Sequence, residues 1–545
     1  MRRRWRILLA LVSTFVIAGA FTWHTAGDKY FEIIKNIEIF TNLYKEVNTY
    51  YVEEIDPGEL MRTGLDAMVG SLDPFTNYIS ESDIEGYRFM SEGRYHGIGA
   101  QFALIDGYVT ITELYRNQPA DQAGLRPGDQ IIAVDGNDAS GRTEEEVNEI
   151  MQGYPGTSMD LLIRRPGETK DLHISLIRGE VNVPNVPYSG MVRNGIGYIN
   201  LTTFSRDAGR NIQEALRALK RENPDLQGVI LDLRNNGGGL LNEAVNICNL
   251  FIPRGEVVVT TRGKVEEWNR TYSTMNQAMD TEIPLAILIN SHSASASEIV
   301  SGVMQDYDRG VLIGQRSYGK GLVQNTMDIG YNARVKITTA KYYIPSERCI
   351  QSVEYENGEP VHIPDERRAR FTTRNGRTVL DGGGVKPDVV LDPITDEGIM
   401  KALVDEHVIF KFVTQWTQSH PTIDSVEMFH FNDFAGFERY LDESGFTYTS
   451  EAEKELQQLQ EQLTKEGLSL SSELENLQKR IDTAQATELA GHREAIIDLI
   501  EKEIAGRYYY QRGMVQMGLR NDAEIDEAVS ILTDAARYNS ILGKQ

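Results

Sequence analysis

Residues Leu285–Gly302 read "LAILINSHSASASEIVSG". Apolar strand formers run into four alternating serines, Ser291, Ser293, Ser295 and Ser297, and then Glu298, Ile299, Val300, Val303 and Met304 follow at helical spacing. A continuous apolar run followed by a helical pattern is the signature of a strand buried on both faces of a sheet, with a helix folding back across it. Small hydroxyl residues at that junction have two uses. One serine can cap the helix while the others fill space. Alternatively, one of them sits at the positive end of the helix dipole, where free backbone N–H groups can stabilise a developing oxyanion. Read by itself, the run is a capping motif.

Two neighbouring stretches change that reading. "GVILDLRNNGGGLLNEAVNIC" (228–248) is a second buried strand, then Asn235-Asn236-Gly237-Gly238-Gly239, then a helix. Consecutive glycines there let the backbone approach a ligand closely and aim N–H groups at it. The G-x-G-x-x-G spacing of a dinucleotide loop and the Lys-Ser/Thr ending of a P-loop are both missing, so an oxyanion or acyl-group site fits better. "GVLIGQRSYGKGLVQ" (310–324) gives a third strand and then Lys320 between two glycines, with Gln324 beyond it. A serine nucleophile needs a base. His292 lies inside the serine run, and His173 and His362 have no accompanying acid signature. A lysine serves only if burial lowers its pKa from about 10.4 toward about 7–8, an environment worth roughly 4 kcal/mol at ~1.4 kcal/mol per unit.

Upstream, "RYHGIGAQFALIDGYVTITELYRNQPADQAGLRPGDQIIAVDGND" (94–138) has short β-branched runs, tight turns and a Gly-flanked loop, Gly97-Ile98-Gly99-Ala100. This resembles a PDZ domain over most of its length, with the loop in the position of the family's carboxylate-binding loop. Exposed N–H groups at such a loop receive a terminal carboxylate, and the adjoining strand edge accepts an extended peptide.

Taken together, "SHSASASEIVSGVMQD", "GQRSYGKGLVQ" and "DLRNNGGGLL" resemble the carboxyl-terminal processing (tail-specific) protease family over about residues 35–395. The resemblance implies an α/β serine protease core of crotonase-like type with an inserted mostly-β PDZ domain, flanked by helical regions. It implies a Ser–Lys dyad, with Ser295 as nucleophile and Lys320, 25 residues on, as general base. Gln324 matches the residue that orients the lysine, and the oxyanion hole is implied to be the N–H groups of Ala296 and Gly238. No metal or other cofactor is implied. The implied activity is cleavage of proteins whose free, apolar C-terminal tails bind the PDZ loop. A catalytically inactive PDZ adaptor and a crotonase-type acyl-transfer enzyme are the alternatives. The chain departs from the family pattern at Gly237, where proline is common, at Glu347, where glycine is usual, and in an extra stretch over about 353–380.

The expected domains are 28–92 (helical), 93–180 (PDZ), 181–395 (protease core) and 396–545 (helical), preceded by 1–24. That first segment carries Arg2, Arg3, Arg4 and Arg6 ahead of an apolar run with Ala18-Gly19-Ala20. It reads as an export signal, either cleaved or kept as an inner-membrane anchor, and places the remainder in the periplasm. In 28–92, Ile33, Ile34, Ile37, Phe40 and Leu43 fall at helical spacing. In the last region, Leu456, Leu459 and Leu463, then Leu474, Leu477 and Ile481, predict a helical hairpin broken at Gly467. Covering the core, homo-oligomerisation and docking of an adaptor lipoprotein are all compatible with that pattern. The 545-residue chain carries a net charge of −25, which argues against a nucleic-acid partner, since phosphate binding needs a basic surface. Its two cysteines, Cys248 and Cys349, form no metal-ligand spacing.

Overall fold

The computed structural model describes residues 30–544 except 82, 352–354, 357–358, 362, 394–397 and 468–470. The export or anchor segment, 1–24, and part of the 353–380 stretch therefore lie outside the described residues.

The stretch Leu285–Ile289 is a central strand of a six-stranded sheet. The strand order is Ser189–Met191, Ile196–Asn200, Gly228–Asp232, Leu285–Ile289, Val311–Gly314, Val389–Val390. The first pair is antiparallel and the rest are parallel. Both faces are covered, which is why the strand sequences are continuously apolar and do not alternate. Helices Ala208–Glu222, Leu241–Phe251 and Ala296–Asp306 pack one face through Ile212, Leu216, Ile247, Phe251, Ile299 and Val303. The other face is closed by the last two helices of the chain, Ala523–Thr533 and Ala535–Ile541. Their Ile525, Val529, Leu532 and Tyr538 cover Tyr198, Ile230, Leu288 and Ile313. Of the uses compatible with the C-terminal sequence, covering the core is thus realised by 523–541. An ionic tie fixes the dock, since Arg234 pairs with Asp232, Asp522 and Glu524 at 2.6–2.7 Å.

Because Gly228–Asp232, Leu285–Ile289 and Val311–Gly314 run parallel, the glycine loop, the serine run and the lysine loop all emerge at one end of the sheet. That is where open α/β sheets place their ligands. An antiparallel sheet stands against this end, ordered Asn77–Ile79, Ala333–Tyr343, Val257–Gly263, Arg270–Ser273. The strand Leu322–Gly330 pairs the other side of Ala333–Tyr343 as a hairpin. The N-terminal region is therefore part of the core, with Asn77 registered opposite Lys336.

The β module enters and leaves through a two-stranded ribbon, Arg94–Gly97 against Gly179–Asn182. Its five main strands enclose Ile111, Ile131, Met159 and Ile163, and the helix Glu144–Met151 starts at a capping box between Thr143 and Glu146. The long helix Arg493–Gly518 is broken at Tyr510 (φ 56°, ψ −156°), whose hydroxyl reaches Asp121 of the module at 2.7 Å. Helices Glu451–Glu466 and Ser471–Gly491 pack together on either side of Gly467, whose φ of 69° ends the first of them. The helix 30–50 leaves Ile33, Ile34, Ile37 and Leu43 exposed.

Candidate active site

The glycine loop and the serine run are stitched to each other by hydrogen bonds. Asn235 and Asn290 exchange two, at 2.8 and 2.9 Å. The Ser293 hydroxyl donates to the Leu233 carbonyl at 2.8 Å, and the Ser297 hydroxyl donates to the Asn236 carbonyl at 2.8 Å. Both serines are fully buried, and neither caps the helix. Ser291 is exposed. Ser295 stands at the N-cap with φ 55° and ψ −110°, a strained backbone for a residue with a Cβ. The helix begins at Ala296, whose N–H, among the described residues, donates to no oxygen of the protein. Gly238 packs directly against this turn, since a Cβ placed on it would lie 2.9 Å from the Ala296 nitrogen and from Ser295 Cβ. With φ at +98° as well, only glycine fits there. The Gly238 N–H donates to Asn236 Oδ1 at 2.9 Å.

Glu298 joins the serine side to the lysine side. Its carboxylate is fully buried in the first turn of the helix. Oε2 accepts from the Ser295 and Lys320 N–H groups, both at 2.8 Å. Oε1 accepts from Gly319 N–H at 2.7 Å and the Ser317 hydroxyl at 2.6 Å. Burial pushes its pKa up against the pull of those four donors. Tyr342 makes a second bridge, its hydroxyl lying 2.6 Å from the Lys320 carbonyl and 3.1 Å from that of Ser295.

The Lys320 side chain is free of such ties. Among the described residues, Nζ has no hydrogen-bond or ion-pair partner and so is not bonded to the Ser295 hydroxyl; it lies 4.3 Å from the centre of the Phe75 ring. Burial pulls its pKa down to about 8, the Lys336 charge pulls the same way, and Glu298 and Asp73 oppose. Gln324 donates through Nε2 to the Thr338 hydroxyl at 3.2 Å.

Ser295, Ala296, Gly238, Lys320 and Gln324 all line one cavity of about 530 Å³, with Met90, Leu241, Ile299 and Lys336 in its wall. The structure therefore gathers the five sequence-predicted residues. The Gly97–Ala100 loop lies apart from it, in the β module. There the Ile98 and Gly99 carbonyls take N–H groups from Ala120 and Tyr115, and the Gly99 and Ala100 amides face the Tyr95 hydroxyl. Sequence reasoning missed several participants. Glu298 was visible only as a first-turn acid, and Asn236 only as a loop residue. Tyr342, Lys336 and Phe75 carried no signal in the chain.

Two of the departures from the family pattern have physical consequences. Glu347 adopts φ 68°, the left-handed backbone that glycine takes without strain. The hairpin Arg370–Thr372/Thr378–Leu380 in the extra stretch brings Arg377 to Asp308 and Asp388 at 2.6 and 2.5 Å, bracing the far end of the helix Ala296–Asp306. At Gly237 a Cβ would meet no atom within 4 Å, so the fold leaves room for a larger residue there.

A doubly covered α/β core, a PDZ module and a serine-bearing strand–helix turn at the carboxyl end of the sheet define the class, a PDZ-containing serine peptidase. Residues 195–358 match peptidase family S41, 110–165 match the PDZ domain, and 399–532 match the helical domain described as "Probable PDZ-protease, C-terminal helical domain". The carboxy-terminal-processing protease of Bartonella bacilliformis is 34% identical over 343 residues, 63% of this chain and 77% of the relative. A protein of Staphylococcus aureus named "Probable CtpA-like serine protease" is 30% identical over 400 residues, 72% of this chain and 73% of the relative. Among solved structures, a photosystem II D1 C-terminal processing protease is 25% identical, with a TM-score of 0.35, and the match covers 67% of this chain and 96% of that one. The chain belongs to the carboxyl-terminal processing proteases of peptidase family S41.

Proposed function

We propose that the chain is an exported endopeptidase that captures C-terminal tails on its PDZ module and cleaves them with a Ser295–Lys320 dyad. The observation that carries this reading is an unpaired lysine amine, drawn down to about 8, in the same cavity as a strained serine and an unpaired helix N-terminal amide. Neutral Lys320 takes the Ser295 hydroxyl proton as Oγ attacks the scissile carbonyl. The oxyanion is received by the Ala296 N–H, and by the Gly238 N–H once it exchanges Asn236 Oδ1 for the substrate oxygen. The lysine ammonium returns its proton to the leaving amine, and the C–N bond breaks to give the acyl-enzyme. Water, losing a proton to Lys320, then splits the ester and restores the serine. Gln324, which lines the same cavity and donates to Thr338 in the resting structure, orients the lysine once it turns from Thr338 to the amine. The carboxylate of the tail is held by the amides of Gly97–Ala100, with Tyr95 giving way to it. Export rests on the arginine-led apolar segment 1–24, acting as signal or inner-membrane anchor, and places the enzyme in the periplasm.

The test uses an unfolded reporter with an apolar C-terminal tail, free or amidated, incubated with the wild type, Ser295→Ala and Lys320→Met. Cleavage of the free tail by the wild type alone is expected. Equal cleavage by Ser295→Ala overturns the nucleophile, and indifference to amidation overturns tail capture.

A further inference from the structure

The N-terminal region reaches the lysine through one short turn, Asp73-Pro74-Phe75-Thr76. Asp73 fixes it locally, accepting through Oδ1 from the N–H groups of Phe75 and Thr76, both at 2.8 Å, and through Oδ2 from the Thr76 hydroxyl at 3.0 Å. The next residues, Asn77–Ile79, pair with Arg334–Lys336 of the hairpin. The Thr76 hydroxyl accepts from the Thr338 N–H at 3.2 Å, and Thr338 is also the partner of Gln324. The turn is thus nailed to the strand that borders the lysine. Phe75 of this turn is half-buried, and its ring centre lies 4.3 Å from Lys320 Nζ.

An aromatic face attracts an ammonium and offers nothing comparable to a neutral amine. We propose that Phe75 is the seat of protonated Lys320 in the resting enzyme, a positioning residue that raises the proton affinity of the amine and fixes where it waits. The inference rests on the dyad reading above. Four charged or aromatic groups face the amine, one set from each element around it. Lys336 of the hairpin strand disfavours the proton, and Glu298 of the helix and Asp73 of the turn favour it, as does the ring. Burial alone favours the neutral amine, so the ring and the two carboxylates are what hold the group chargeable near neutral pH. The arrangement also assigns the N-terminal region a task in catalysis, because the turn that carries Phe75 lies far upstream in sequence of the glycine loop, the serine run and the lysine loop.

The test compares wild type, Phe75→Leu and Phe75→Tyr. Leucine keeps the apolar cover and deletes the π face, whereas tyrosine keeps both. Two readouts are taken over pH 6–10, on either side of the about 8 at which Lys320 sheds its proton. One is the acid limb of kcat/KM on a peptide. The other is the rate at which acetic anhydride acylates Lys320 in the Ser295→Ala background, followed by mass spectrometry, which needs no activity. The expected result is a Lys320 titration about 0.5–1 pH unit lower in Phe75→Leu and close to wild type in Phe75→Tyr. A titration in Phe75→Leu that is unmoved or moves up overturns the proposal, the upward shift meaning that the ring acts only as a water-excluding cover. If acylation shifts down while the kcat/KM limb stays put, the contact is upheld, and the role of Lys320 as base is what fails. Thermal unfolding of each variant confirms that the comparison is made on folded protein.

Discussion

At the serine junction, Ser293 and Ser297 are fully buried and their hydroxyls lock the run to the glycine loop, so Ser295 is offered to the cavity by a rigid frame. Across the cavity, the strand Leu322–Gly330 is half-buried to exposed. Beside it the Lys320 backbone is held by Glu298 and Tyr342, while its amine, among the described residues, has no hydrogen bond or ion pair and faces the Phe75 ring. In the mechanism proposed above, one side stands still and the other moves a proton. A nucleophile gains from fixed geometry, because attack needs near-contact alignment. A base must accept and release a proton within one turnover, and a permanent ion pair would hold it charged.

The sharpest way to break that comparison is to delete one serine hydroxyl at a time. Ser295→Ala is expected to lower kcat by about 10³-fold or more, with thermal stability nearly unchanged because alanine keeps the Cβ and the same backbone strain. Ser293→Ala should do the reverse. It removes the Ser293 hydroxyl from between Leu233 O and Asn290 N–H, costing about 1–3 kcal/mol of stability, with kcat reduced far less. Loss of activity without loss of stability at Ser293 would make it the nucleophile.

Next comes Glu298→Gln. Each carboxylate oxygen takes two donors, so the amide turns its NH₂ toward one donor pair whichever way it lies. About 3 kcal/mol of stability and roughly a hundredfold in kcat should be lost together, because the residue aligns the Ser295 and Lys320 backbones rather than meeting substrate. An activity loss with an unchanged melting temperature would give Glu298 a direct chemical part instead.

The strand–helix junctions were legible because burial on both faces writes an uninterrupted apolar run, and the breaks in it fall at Asn235–Gly239 and Asn290–Ser295. Glu298 was legible as a helix-start acid, but three of its four donors arrive from 317–320 and exist only once two strands lie side by side. Phe75 and Lys336 meet Lys320 through strand pairing across nearly half of the chain, and no local pattern encodes that. The amphipathic helix Ala523–Thr533 announces an apolar face but not its partner, the underside of the catalytic sheet.

The pH dependence tests the lysine side. With Lys320 at about 8, kcat/KM should rise roughly tenfold per pH unit up to that point and level off above it. Lys336→Met removes a positive charge that disfavours the Lys320 proton. The Lys320 pKa therefore rises and the acid limb moves up by roughly 0.5 unit, opposite in sign to Phe75→Leu. Linkage gives the same depression a cost. The native lysine sheds its proton near 8 and the unfolded one near its ordinary value, so stability climbs with pH between the two and the full cost is present below about 8. Lys320→Met should accordingly stabilise the protein at pH 7 and abolish this residue's share of the pH dependence of its melting temperature across that window.

The smallest effect is expected at Tyr342. The phenylalanine variant loses one proton, shared between the Lys320 and Ser295 carbonyls, and leaves the ring packed in the core. A carbonyl deprived of its donor costs about 1 kcal/mol, so kcat should fall only three- to tenfold. What makes the variant informative is its pairing with Glu298→Gln. If both groups act by holding the two backbones at one separation, losing the second after the first should cost less than losing it alone, and a double-mutant cycle should show coupling of about 1 kcal/mol. Strict additivity would mean that Tyr342 steadies the lysine hairpin by itself, and that the serine and lysine sides are joined through Glu298.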